Sequence, residues 1–216
     1  MNPQDNTIDK NQILTWYIDD VLNDKQPKNV YAFSQAHQLD EAEFYNYFSN
    51  LETIENYFYD ALFEATLETL QSSEDYELYP AKDKILSFYY TFFENLKMNR
   101  SFVQHSIGSQ SLKDLGKLKG LRKGFLEYAN HLEIEKIDFK QKDINKASEK
   151  VMAESAWLHL LGTLKFWLND KSANFEKTDV FIEKSVNAGF ELINVSAFKN
   201  VADFGKFIFK EFNPVK

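Results

Sequence analysis

The chain has 216 residues, with seven glycines, four prolines and no cysteine. Apolar residues make up 44% and charged residues 27%, a globular composition, and so few chain breakers argue for long helices against a turn-rich sandwich or barrel. The net charge of −8 suits nucleic-acid phosphates poorly, and the lack of cysteine excludes disulfides, thiolate zinc sites and a cysteine nucleophile.

Residues 12–23 place Ile13, Leu14, Tyr17, Ile18, Val21 and Leu22 at helical spacing, with Asp19 and Asp20 facing out. A polar loop covers 24–29, and Val30, Phe33, Ser34 and His37 continue as a short helix. Asp40, with Glu43 three positions on, predicts an N-cap. A long helix follows over 51–72, then a linker over 72–80. Further helices are expected over 82–99, 101–107 (ending at Gly108), 112–131, 144–168, 178–194 (with Thr178 as N-cap) and 197–212 (stopped by Pro214). The count is about ten helices and no strand. The polar N-terminus lacks a signal-peptide core and no run of 18 apolar residues occurs, so a cytoplasmic protein is the expectation.

The most specific stretch is 29–54. A helix-turn-helix needs a short helix, a tight turn, and a second helix held against the first by an apolar contact. Val30 and Phe33 supply the inner face of the first helix, Leu39 sits in the turn, and Phe44 to Phe48 supply the second helix and its exit. This stretch resembles the DNA-binding domain of the TetR family. The family's turn Val-Ser falls on Leu39-Asp40, and its Leu-Tyr-x-Tyr-Phe on Phe44-Tyr45-Asn46-Tyr47-Phe48. The Ile of its Ile-Ala pair falls on Phe33, and the Glu and Leu that open the next helix fall on Glu52 and Ile54. Departures are Gln38 for the turn glycine, Ser34 for the alanine, Ala42 for a glycine and Leu51 for a lysine. With glycine replaced, Gln38 must reach a tight or left-handed geometry at a cost.

The resemblance implies an all-α, TetR-like fold. A three-helix module would cover 1–48, and a helical ligand-binding and dimerisation domain 49–216. It implies DNA contacts from Asp40, Glu41, Glu43, Tyr45, Asn46 and Tyr47. It also implies a pocket for a hydrophobic small molecule or lipid, with Phe88, Tyr89, Phe92, Phe102, His105, Met152, Trp157 and Leu161 as lining candidates. A homodimer would form through the helices at 144–168 and 178–194, using Leu158, Leu161, Phe181, Ile182, Val186 and Phe190 in a four-helix interface.

Charge divides the functional readings. Residues 1–66 carry Lys10, Lys25 and Lys28 against twelve carboxylates, a net charge of −9, and no arginine. Affinity for DNA rests on neutralised phosphates, so operator binding is expected to be weakened. One reading is a ligand-responsive transcriptional regulator. The other is a lipid- or isoprenoid-binding accessory protein that keeps the fold without binding DNA, similar in plan to a TetR-fold accessory protein of coenzyme Q biosynthesis.

The remaining features are less specific. Lys113, Lys117, Lys119, Arg122 and Lys123 read as a solvated helix face or as a contact for an anionic surface. The 197–212 helix is amphipathic, with Lys199, Lys206 and Lys210 on its polar side, which suits core, dimer or peripheral membrane packing. The four histidines are not paired at i, i+4, and no HExxH, GxSxG, P-loop or GxGxxG occurs. No metal, no cofactor and no catalytic residue are expected. His105 and His159 are expected in or near the pocket.

Overall fold

The computed structural model describes residues 8–108, 112–132 and 142–194; of residues 112–113, 142–149 and 193–194 only the backbone is described. The expected 197–212 helix lies outside the described residues. Those residues form ten α-helices and no strand. In chain order they are α1 (Lys10–Leu22), α2 (Val30–Ala36), α3 (Glu41–Phe44), α4 (Leu51–Gln71), α5 (Ala81–Met98), α6 (Arg100–Ile107), α7 (Leu112–Gly116), α8 (Lys119–His131), α9 (Lys142–Asn169) and α10 (Glu176–Asn194).

The first three starts are capped by short polar side chains. Asp9 accepts from the Gln12 amide at 2.7 Å, Asn29 from Ala32 at 2.8 Å and Asp40 from Ala42 at 2.8 Å. Each satisfies a backbone donor that the first helical turn leaves unpaired.

Two expected boundaries are corrected. The single helix over 112–131 is broken at Lys117 and Leu118, whose amides bond back three residues, to Asp114 at 3.0 Å and Leu115 at 3.2 Å. α7 ends at Gly116, and the tighter turn aims the Lys117 side chain inward. Thr178 is not the N-cap of α10, which starts at Glu176 after a 3₁₀ turn over Ala173–Phe175. Thr178 is buried in the first turn instead. Its amide and hydroxyl donate to Asp170 Oδ2 at 2.9 and 2.7 Å, and the Ser172 amide and hydroxyl donate to Asp170 Oδ1 at 2.8 and 2.7 Å. Burial alone would raise the Asp170 pKa. The four bonds outweigh it and hold the carboxyl down at about 2.

The described residues divide into two compact units. One lies within Met1–Thr69 and Thr91–Phe125, the other within Leu70–Tyr90 and Leu126–Lys216. The first has an aromatic core. Tyr17 meets Phe33 and Phe102 at 6.4 Å each, Phe33 meets Phe44 at 5.8 Å, and Phe58 meets Phe102 at 5.0 Å, all edge to face. Within this unit α4 meets α8 closely. A methyl group at Gly120 would collide with the Asp60 carboxylate, and one at Gly124 would lie 2.6 Å from the Phe63 ring.

The second unit buries Phe88, Tyr89, Trp157, Leu160, Trp167 and Ile182. Its 72–80 segment is tied down by a 3₁₀ turn over Tyr76–Leu78. Tyr128 donates to the Lys84 carbonyl at 3.0 Å, so the 2.9 Å bond between the Tyr76 and Tyr128 hydroxyls takes its proton from Tyr76.

Candidate functional site

The 29–54 stretch holds two separate short helices and the start of a long one, with the bend between α2 and α3 closed by the backbone. His37 caps α2, Gln38 takes φ 53°, and the Leu39 amide reaches back to the Ser34 carbonyl at 2.9 Å. This is a Schellman ending, in which a left-handed residue lets the next amide satisfy a helix carbonyl. Leu39 is buried behind it, and Phe33 and Phe44 lock the two helices edge to face. His37 fixes the bend to α1. Its ring stacks on Trp16 at 4.9 Å, and its Nε2 lies 2.8 Å from Asp20 Oδ2.

Beyond α3, the Tyr47 hydroxyl donates to the Ile8 carbonyl at 2.6 Å and is half-buried. Tyr45 is 52% exposed, and its hydroxyl donates to Glu41 Oε1 at 3.2 Å. Asp40 and Asn46 are exposed, while Glu41 and Glu43 are half-buried.

A polar cluster that sequence reading missed lies deeper in the same unit. Glu55, on α4, is buried. It accepts from the Tyr17 hydroxyl at 2.9 Å and the Ser106 hydroxyl at 2.7 Å, and pairs with Lys117 at 2.7 Å. Lys117 also donates to the Ser106 carbonyl at 2.7 Å. Burial, then the Glu55 charge, push the Tyr17 hydroxyl well above its ordinary pKa. Lys117 therefore leaves the solvated face expected of the 113–123 lysines. Lys119 and Lys123 stay exposed and Arg122 is half-buried; the Lys113 side chain is outside the described set.

In the second unit a hydrogen-bonded chain runs through His159. The Ser185 hydroxyl lies 2.6 Å from the Phe181 carbonyl and donates to it, so its oxygen accepts from His159 Nε2 at 2.7 Å. Nδ1 is left to accept from the Tyr89 hydroxyl at 2.6 Å. Both ring nitrogens are thus satisfied in the neutral imidazole, and burial lowers the His159 pKa below its usual value. The His159 ring lies parallel to Phe181 at 6.2 Å, and Phe181 stacks on Phe166 at 4.6 Å. A shallow groove opens above these rings, lined by Phe166, Lys177, Val180, Phe181, Lys184 and Ser185.

A family model described as the tetracyclin repressor-like C-terminal domain matches residues 84–208. The match covers more than half of the chain. The chain belongs to the TetR family. A search of curated proteins finds no match. The family match lies wholly outside 29–54, so it and the bend are separate observations.

Of the pocket candidates, Phe88, Tyr89 and Trp157 are buried in the second unit, and Met152 and Leu161 are half-buried there. Phe92 and Phe102 are buried in the first unit, and His105 is exposed on α6. Phe102 spends its ring on Tyr17 and Phe58. Of the interface candidates, Ile182 and Val186 are buried within the chain, Leu161, Phe181 and Phe190 are half-buried, and Leu158 is 65% exposed. Val151, Val180 and Leu192 are also exposed on α9 and α10. Among the described residues no helix is long and apolar enough to cross a membrane, and no group of three metal-ligating side chains forms.

Proposed function

We propose that this TetR-family chain is a dimeric, ligand-responsive transcriptional regulator whose grip on DNA is weakened by its own carboxylates. The observation that supports the reading is the Schellman bend at Gln38–Leu39 between α2 and α3, which suits a helix-turn-helix in a module over 1–48. In that module Asp40, Glu41, Glu43, Tyr45, Asn46 and Tyr47 form the DNA-facing segment. Asn46 reads adenine, and a two-fold dimer spaces the two segments about 34–36 Å apart for successive major grooves. Dimerisation uses the face of α9 and α10 where Val151, Leu158 and Leu192 are exposed. The ligand is a hydrophobic small molecule held among helices of the C-terminal domain, where Phe88, Tyr89, Met152, Trp157 and Leu161 supply apolar and aromatic surface.

The test is a mobility shift with duplex DNA from the gene's own promoter region at about 100 mM salt. A retarded band that weakens as salt rises supports the regulator. With few phosphate contacts, the salt slope is expected to be shallow.

One observation favours a second reading. The Tyr45 hydroxyl, which a phosphate contact would need, is bonded to Glu41, and residues 1–66 around it have net charge −9. In this reading the chain is a lipid- or isoprenoid-binding accessory protein that does not bind DNA. Absence of any shift, together with a lipid that co-purifies and is seen by mass spectrometry, decides for it. The 197–212 segment would then supply peripheral membrane contact.

A further inference from the structure

We propose that the dimer face of α9 and α10 carries a pH-sensitive contact at His159, through which acidification loosens the dimer; the inference rests on the homodimer reading above. The imidazole sits beside that face. Its chain neighbour Leu158 is exposed, and its ring lies parallel to Phe181, which stacks in turn on the exposed Phe166. Val151, Leu158 and Phe166 follow one another at about two turns along α9, and Phe181 and Leu192 stand about three turns apart on α10, so the stacked rings continue the same apolar face. His159 is only half-buried in the single chain. A second copy seated over Phe166 and Phe181 takes away water that one chain alone leaves to the imidazole.

That further burial sets the sign. The chain through Tyr89, His159 and Ser185 accommodates the neutral ring: Nε2 donates to Ser185, whose own proton goes to the Phe181 carbonyl, and Nδ1 accepts from Tyr89. A proton on Nδ1 turns that acceptor into a donor facing a donor. Burial lowers the His159 pKa in the single chain, and a partner lowers it further. The monomer therefore takes up the proton first, and protonation draws the equilibrium from dimer to monomer. The groups that meet the ring carry no charge: Tyr89 from α5, and Ser185 and Phe181 from α10. One turn on along α9, Thr163 donates to the His159 carbonyl. Of the charged side chains on α10, Asp179 and Glu183 act on Tyr90. Lys177 and Lys184 line the groove above the rings, keep their charge throughout the interval and disfavour another positive charge below them.

The experiment measures the dimer dissociation constant of the full chain by sedimentation equilibrium at about pH 7.5 and about pH 5.2, with helical circular dichroism as the check that both species are folded. The constant is expected to rise roughly fivefold at the lower pH, with two histidines per dimer contributing. His159→Gln is expected to remove that rise, while any part due to exposed carboxylates or to the other histidines stays. Tyr89→Phe deletes the hydroxyl that the neutral ring accepts from, so the rise is expected to begin at a higher pH, a shift that a merely structural role would not produce. A dimer with the same constant at both pH values, or a rise that survives His159→Gln, overturns this proposal and leaves the homodimer standing. A chain that is monomeric at about pH 7.5 overturns the homodimer and this proposal with it.

Discussion

Gln38 is the residue where the sequence announces a cost and the structure shows it. The family's turn has glycine there, and a side chain at φ 53° sits in the region that L-residues avoid. Gln38→Gly is expected to raise unfolding stability by about 1 kcal/mol in chemical denaturation, less the extra chain entropy that glycine brings to the unfolded state. No gain would mean that the Gln38 side chain returns the strain energy through a contact. His159 could not be read the same way. The sequence offered a lone histidine, and only the fold supplied Tyr89 and Ser185 as its partners.

The neutral imidazole is the form the hydrogen-bonded chain accommodates, and its pKa lies below the unfolded value near 6.5. The unfolded chain therefore takes up the proton first. The stabilisation is complete above about pH 6.5 and is lost as pH falls below that toward the folded pKa. Melting temperature is expected to drop across this interval, and the His159→Gln variant should flatten that part of the profile.

At the scale of elements, periodicity located the helices well and their partners poorly. α1, α2, α4, α5 and α6 fall where hydrophobic spacing put them, because that spacing records which side of a single helix is buried. The break between α7 and α8 escaped; at it Lys117 turns inward to pair with Glu55, more than fifty residues earlier in the chain. That pair gives a sharp prediction. Lys117→Met leaves the Glu55 carboxylate buried with only hydroxyl donors, and is expected to cost about 3 kcal/mol. The double variant Lys117→Met, Glu55→Met should recover much of that loss, which a double-mutant cycle in urea will measure. Equal destabilisation by single and double variants would mean that the pair is not coupled.

For the whole molecule, the α9–α10 pair leaves apolar side chains on the outside that a monomer in water has no reason to expose. Leu158 is 65% and Leu192 69% exposed, with Val151 at 60%. If the proposed homodimer buries this face, Leu158→Glu is expected to shift the chain to a monomer by light scattering. Its helical circular dichroism should be unchanged, since the side chain contributes little to the protomer's own core. A dimer that survives this charge would place the interface elsewhere.

The sequence by itself determined the helical class, the position of the bend and the acidic balance of the first 66 residues. Each of these depends on local spacing, turn chemistry or a sum of charges. The tertiary structure alone decided which charged and polar groups were taken out of water. Lys117 became the buried partner of Glu55, Asp170 the anchor of the first turn of α10, and His159 the link between Tyr89 and Ser185, 70 positions from the first of them. Burying a polar group is costly unless a partner meets it, and the partner comes from packing between elements, which no pattern within one helix encodes.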